Sequence, residues 1–169
     1  MSTATFTNAI GGNITVDASE SVEMSGTSAT NPNLLSFIST STYGSANSGD
    51  INVSTGRLTI QNGAIVGAGS FATGAGGDVN INATDSVEVI GVAPSQSAGS
   101  LLGVSTLGAG NAGNLNIKAP KVIVRDGGRI DASTAATGDA GSITIHASDS
   151  VEVSGTGSGN IASFDKFCR

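Results

Sequence analysis

Gly12-Asn13-Ile14-Thr15-Val16 is the first of five copies of one phrase, and these copies decide the fold. The other four are Gly49-Asp50-Ile51-Asn52-Val53, Gly77-Asp78-Val79-Asn80-Ile81, Gly113-Asn114-Leu115-Asn116-Ile117 and Gly141-Ser142-Ile143-Thr144-Ile145. Their opening glycines are 37, 28, 36 and 28 residues apart, and any two neighbouring steps span 64 or 65 residues. Self-similarity at a fixed period is the signature of a repeat architecture. The sequence therefore predicts an array whose unit is a pair of unlike repeats.

The two kinds of repeat differ in the segment after the phrase. The first kind continues with Ser-Val-Glu and an apolar residue, and the second continues with a basic residue, as in Arg57-Leu58-Thr59-Ile60 and Lys121-Val122-Ile123-Val124. Apolar residues two apart indicate a strand with one buried face. Each repeat thus has two regular predicted strands. Their buried residues are Ile14/Val16 with Val22/Met24, Ile51/Val53 with Leu58/Ile60, Val79/Ile81 with Val87/Val89, Leu115/Ile117 with Val122/Val124, and Ile143/Ile145 with Val151/Val153.

A third, less regular strand is predicted in each repeat, at residues 34–40, 64–70, 101–106, 129–134 and 161–164. Three strands per repeat with no helical period fit an all-β parallel β-helix, a solenoid whose stacked Val, Ile and Leu columns fill the interior. About five coils at a strand spacing of about 4.8 Å make a rod roughly 20 to 25 Å long.

One β-helical segment is assigned to residues 1–164. Its coils start near residues 12, 49, 77, 113 and 141, with a partial coil at 1–11 and a non-repeat tail at 165–169. Residues 2–12 align without a gap on residues 39–49, so we expect the chain to begin partway through a coil. The interpretation is a fragment of a longer array or a truncated reading frame.

Composition narrows the class of protein. The net charge of −6 argues against nucleic acid as a partner, because phosphate binding needs a basic surface. The sequence has no run of eighteen apolar residues, and residues 2–5 lack the character of a signal peptide. The single cysteine, Cys168, has no internal disulfide partner. With exposed coil ends it favours end-to-end self-association or a thiol-linked dimer.

Several phrases resemble the central repeats of large filamentous haemagglutinin-like exoproteins, most closely those of cyanobacteria. They are residues 138–145 (Gly-Asp-Ala-Gly-Ser-Ile-Thr-Ile), 148–157 (Ser-Asp-Ser-Val-Glu-Val-Ser-Gly-Thr-Gly) and 112–117 (Ala-Gly-Asn-Leu-Asn-Ile). The resemblance covers about residues 2 to 164. It implies a right-handed β-helix exported through the outer-membrane transporter of a two-partner secretion system, and a parent protein that is extracellular or on the outer cell surface. It also implies adhesion to a cell-surface glycan or protein receptor.

Those exoproteins carry an Asn-Pro-Asn-Leu motif in an N-terminal secretion domain, and this chain contains Asn31-Pro32-Asn33-Leu34. Here the motif lies in a long insertion among ordinary repeats. The preferred interpretation is therefore a turn in which proline sets φ.

The acidic residues form columns rather than a catalytic cluster. Glu23, Glu88 and Glu152 share one repeat position, and Glu20, Asp85 and Asp149 share another. Thr59 and Ile123 take the first of these positions in the intervening repeats, so like charges are expected about 9 to 10 Å apart. The sequence predicts a solvated face and no enzyme.

The remaining polar candidates also have structural interpretations. Lys118, Lys121, Arg125 and Arg129 are expected to neutralise the flanking acidic repeats, with binding of an anionic glycan as the alternative. His146 is predicted to be an incidental surface residue. Asp50 and Asp78 follow glycines, but the period of calcium-binding repeats is missing. We predict no catalytic, cofactor-binding or metal-binding residue, and no cofactor.

The sequence favours a structural segment of a secreted or surface-displayed adhesin without catalysis. The alternative is a carbohydrate-active or carbohydrate-binding β-helix of the pectate-lyase-like type, which needs a groove of clustered carboxylates. Ice binding ranks last, because the outward column at Thr15, Asn52, Asn80, Asn116 and Thr144 is not a regular threonine array.

Overall fold

The computed structural model describes residues 1–26, 28, 31, 34–94, 99–155 and the backbone of 163–165. Within these residues the chain forms eleven β-strands and no helix, and thus no helix long and apolar enough to cross a membrane. The strands are β1 (Ser2–Thr5), β2 (Ile14–Ser25), β3 (Phe37–Thr42), β4 (Ile51–Gln61), β5 (Ile65–Ser70), β6 (Val79–Ile90), β7 (Leu101–Thr106), β8 (Leu115–Arg125), β9 (Arg129–Thr134), β10 (Ile143–Ser154) and β11 (Ser163–Asp165).

Two parallel sheets contain all these strands. The long-strand sheet has the order β2-β4-β6-β8-β10, and the short-strand sheet has the order β1-β3-β5-β7-β9-β11. Every pairing between named strands is parallel, and the chain alternates between the two sheets as it advances. The predicted all-β class and the stacking of like strands are confirmed, and the arrangement is consistent with a β-helix.

The register follows the repeated phrase. Ile14 lies opposite Ile51, Ile51 opposite Val79, Val79 opposite Leu115, and Leu115 opposite Ile143. Because residues of one column face the same way, the apolar positions stack on each other along the whole sheet. Aligning the five phrases therefore predicted the strand register correctly.

The prediction of three strands per repeat was wrong, because the first two predicted strands form one continuous strand. A register shift marks the bend inside it, where Ser19 and Glu20 of β2 oppose the single residue Gly56 of β4. In β8 the single residue at the bend is Pro120, opposite Ser148 and Asp149. Two residues opposing one is a β-bulge, which turns the strand without ending its pairing.

Tight turns explain why alternate repeats are shorter. In the short repeats a turn at Asn62-Gly63 joins β4 to β5, and one at Asp126-Gly127 joins β8 to β9. All four residues have φ between 54° and 94°, the left-handed region that type I′ turns require and that Asn, Asp and Gly tolerate best. The long repeats have an insertion of several residues at the same place.

Aliphatic residues from both sheets form one core. The largest fully buried side chains include Ile51, Leu58 and Ile60 of the long-strand sheet and Leu102 and Ile130 of the short-strand sheet. The predicted buried pairs of β4, β6 and β8 are confirmed. Val151 and Val153 are exposed, because β10 is the edge strand of its sheet and none of the described strands covers its other side.

The predicted third strands at 101–106 and 129–134 coincide with β7 and β9, and the one at 64–70 differs from β5 by one residue. β3 begins three residues later than predicted, and its inward residues are Ile38, Thr40 and Thr42. The thiol of Cys168, the tail residues 166–169, and Pro32 and Asn33 of the Asn-Pro-Asn-Leu motif lie outside the described residues.

Candidate functional site

Side chains in the turns connect each repeat to the next. The side chain of the second residue in each phrase accepts a hydrogen bond. The donor is the backbone N–H of the second residue in the next phrase along the chain. Asn13 Oδ1 accepts from Asp50 at 2.8 Å, Asp50 Oδ1 from Asp78 at 2.9 Å, and Asp78 Oδ1 from Asn114 at 2.6 Å. This turn ladder gives Asp50 and Asp78 a structural role.

The outer face of the long-strand sheet is polar. Asn80 donates through Nδ2 to Asn52 Oδ1 at 3.1 Å, and Asn116 donates to Asn80 at 2.9 Å. Thr59 lies between Glu23 and Glu88, and Ile123 lies between Glu88 and Glu152, as predicted. The carboxylates on this face are thus spaced apart by uncharged residues.

The described acidic side chains of the polar face lie apart or pair with neighbouring side chains. Within the described residues no three His, Cys, Asp or Glu side chains lie close enough to hold a metal ion. Glu23 Oε1 accepts from Gln61 at 2.7 Å, and Asp85 forms an ion pair with Arg57 in which both side chains are 54% exposed. Exposed pairs of this kind contribute little to stability.

Three of the cationic residues singled out in the sequence, Lys118, Lys121 and Arg125, form no ion pair with the described acidic residues. Lys118 lies between Asn82 and His146, and Lys121 lies between Ser86 and Ser150. Among the described residues neither lysine nor Arg125 forms an ion pair. Arg129 lies on the other sheet and pairs with Asp131 at 3.2 Å. The four cations are therefore spread over two sheets, and His146 is exposed opposite Lys118, as expected of a surface residue.

The outer face of the short-strand sheet has a different composition. The four aromatic side chains that the structure describes lie on this face and are exposed: Phe6 (72%), Phe37 (48%), Tyr43 (47%) and Phe71 (46%). Phe6 stacks on Tyr43 with ring centroids 4.9 Å apart, and Tyr43 stacks on Phe71 at 4.7 Å. These separations match the spacing of neighbouring strands. Exposed aromatics gathered on one face indicate an interaction surface.

The aromatic residues border a shallow groove of about 640 Å³ that crosses the short strands. One wall is the column Phe6, Tyr43 and Phe71, and the other is the column Phe37, Ile65 and Leu101. The floor consists of small residues: Ser39, Gly67 and Gly103 in one column, and Ser41, Gly69 and Ser105 in the next. We call this feature the aromatic groove.

The hydroxyl groups of the short strands separate into two sets. Among the inward hydroxyls, Thr42 donates to the Ala46 carbonyl at 2.8 Å and Thr106 to the Gly108 carbonyl at 3.4 Å, whereas the buried Thr40 hydroxyl has no hydrogen-bond partner among the described residues. The outward hydroxyls of Ser39, Ser41 and Ser105 make no hydrogen bond to any described residue. The floor of the aromatic groove therefore offers polar groups to solvent or to a ligand.

The sequence contained a signal for this groove that the prediction missed. In three repeats an aromatic residue directly follows an inward hydroxyl, as Thr5-Phe6, Thr42-Tyr43 and Ser70-Phe71. The alignment of residues 2–12 with 39–49 already places Phe6 on Tyr43.

No known protein-family model, curated protein sequence or solved structure matches this chain.

Proposed function

We propose that this chain is a right-handed parallel β-helix of about five coils, a segment of a secreted or surface-displayed exoprotein of the filamentous haemagglutinin-like kind. Its function is structural: it supplies length and rigidity and presents a side face for adhesion, without catalysis. The parent protein leaves the cell through an outer-membrane two-partner transporter and acts at the outer cell surface or beyond it.

The turn ladder is the observation that carries this proposal. Each repeat supplies an acceptor to the next repeat, so contacts run between neighbours along the whole stack. Stability in such arrays is a sum of repeat and nearest-neighbour contributions, which allows a rod of any length. Length and rigidity are the properties that a display segment needs.

The connections support the right-handed assignment. β2 and β4 are neighbouring parallel strands of one sheet, and the chain between them passes through β3 of the other sheet. Crossovers between parallel strands of one sheet are right-handed in the great majority of proteins. A crystal structure with a left-handed crossover would contradict this part of the proposal.

Adhesion is tested with beads coated with the chain. We expect coated beads to bind at least one of a panel of bacterial, algal and animal cell surfaces more strongly than beads coated with a non-folding variant, Ile60→Asp. Ile60 is fully buried in the core, so a carboxylate there removes the fold. Equal binding by both kinds of bead refutes the adhesive function.

Catalysis is tested by incubating the chain with soluble polysaccharides and assaying new reducing ends. We expect none, because within the described residues the carboxylates are spaced along columns instead of meeting in the aromatic groove. Release of reducing ends would favour the alternative, a carbohydrate-active β-helix.

A further inference from the structure

We infer that the aromatic groove binds a neutral polysaccharide chain lying across the short strands. The inference rests on the proposed adhesive function, which it deepens by naming a surface and a class of ligand. Its basis is the combination of two apolar walls, a floor of unused hydroxyls and an absence of charge along most of the groove.

Charge is the first criterion. β1, β3, β5 and β7 contain no Asp, Glu, Lys or Arg, although the whole chain carries thirteen acidic and seven basic residues. The charges of β9, Arg129 and Asp131, pair with each other at one end of the groove. An anionic or cationic polymer would find no row of opposite charges along this face. A neutral ligand fits it.

Polarity is the second criterion. The floor hydroxyls of Ser39, Ser41 and Ser105 have no hydrogen-bond partner among the described residues. A hydrocarbon chain would cover these hydroxyls without replacing their bonds to water, and burial of unpaired polar groups costs free energy. A sugar ring presents hydroxyls at its edge and C–H groups on its faces, so it can satisfy the floor and pack against the walls.

Shape is the third criterion. The floor is formed by glycine and serine, whereas both walls carry large apolar side chains. Two copies packed face to face would touch along these walls and enclose an empty channel between their floors, which wastes the packing contacts that stabilise an interface. A slender chain that lies between the walls contacts both walls and the floor.

Size is the fourth criterion. The groove volume of about 640 Å³ lies within the range of about 300 to 1,000 Å³ typical of ligand clefts. The Phe6, Tyr43 and Phe71 wall repeats at 4.7 to 4.9 Å along the stack. A ligand that is itself a repeating chain can make equivalent contacts with successive strands.

The test is native affinity electrophoresis of the whole chain through gels containing hydroxyethyl cellulose, xyloglucan, galactomannan or dextran, with alginate as the anionic comparison. We expect at least one neutral polymer to retard the chain, with little dependence on salt. Failure of all four neutral polymers, or stronger retardation by alginate, would overturn the inference.

A matched pair of variants locates the site. Ser105→Tyr places a ring on the exposed floor of the groove and should weaken polymer binding about tenfold or more. Thr144→Tyr adds the same ring to an exposed position on the outer face of the other sheet and should leave binding unchanged. Equal binding by both variants would place the site elsewhere, and circular dichroism checks that both remain folded.

Three further outcomes distinguish this inference from the proposed adhesive function on which it rests. If Ser105→Tyr abolishes polymer binding and bead adhesion together, the groove is the adhesive surface. Bead adhesion without any polymer binding would overturn the inference and leave the adhesive function in place. Sedimentation that shows a dimer dissociated by Ser105→Tyr would assign the groove to a second copy of the chain and would also overturn it.

Discussion

Two valines that occupy the same core column in neighbouring strands test whether burial between strands stabilises the stack. Each is shortened to alanine in a separate variant. Val122 of β8 is fully buried, and Val151 of β10, directly opposite it, is 49% exposed. Both are valines in the same column, so Val122→Ala and Val151→Ala remove the same two methyl groups. Any difference in strand propensity of Val and Ala affects both variants similarly.

The expected magnitudes follow from burial. Two buried methyl groups contribute about 1.6 kcal/mol of transfer free energy, and the cavity left in a closed core raises the cost of Val122→Ala to about 2 to 3 kcal/mol. Val151→Ala removes groups that are half in contact with water and leaves no enclosed cavity. Its cost should stay below about 1 kcal/mol.

Urea unfolding followed by far-ultraviolet circular dichroism measures the difference. With a slope near 2 kcal/mol per molar urea, Val122→Ala should lower the midpoint by about 1 to 1.5 M and Val151→Ala by less than about 0.5 M. The slope should not change if the same surface is exposed on unfolding. Equal midpoint shifts for the two variants, or a larger shift for Val151→Ala, would refute the reasoning. They would mean that Val122 is not buried more deeply between β6 and β10 than Val151 is at the edge of the sheet.

Three further substitutions test the turn ladder, one tight turn and the surface charges. Asp78→Ala removes the acceptor of the Asn114 N–H, 2.6 Å away, and should cost about 1 kcal/mol in urea unfolding. Gly63→Ala should cost about 2 kcal/mol or more in a thermal melt, because φ is 86° and the new Cβ would lie 2.5 Å from the Cβ of Ala93. Arg57→Ala should change the free energy of unfolding by less than about 1 kcal/mol, since its ion pair is half exposed.

Each of these substitutions has its own control. Asp78→Asn keeps an acceptor oxygen and should recover most of the loss, so equal losses for the alanine and asparagine variants would contradict the ladder. Gly12→Ala should be tolerated, because its Cβ would have no neighbour closer than 3.7 Å. For Arg57→Ala, a loss of several kcal/mol that persists in high salt would show that the pair is not the weak surface contact described.

The sequence predicted the long-strand sheet well because two signals agreed there. The phrase repeats and the alternating apolar residues both align Ile51 with Val79 and Leu58 with Val87, and the structure pairs them so. The spacing of Glu23, Thr59 and Glu88 followed from the same alignment and is confirmed.

The bend and the short-strand sheet were harder to predict. Periodicity cannot distinguish a turn from a bulge, and at the bend the repeats have either Gly56, Pro120 or two polar residues. In the short strands most outward residues are glycine and serine, and the one outward apolar column, Phe37, Ile65 and Leu101, lies at the start of these strands. The aromatic groove depends on Phe6, Tyr43 and Phe71 stacking across three repeats, and the sequence alignment places only Phe6 on Tyr43, whereas the pairing of β1, β3 and β5 brings all three together.

The aromatic stack also gives the molecule a built-in optical reporter. The chain has one tyrosine and no tryptophan, so Tyr43 dominates its near-ultraviolet absorption and emission. The Tyr43 ring lies between Phe6 and Phe71 on one wall of the groove. Tyrosine emission therefore reports on this face, and occupancy of the groove can be followed by titration without any label.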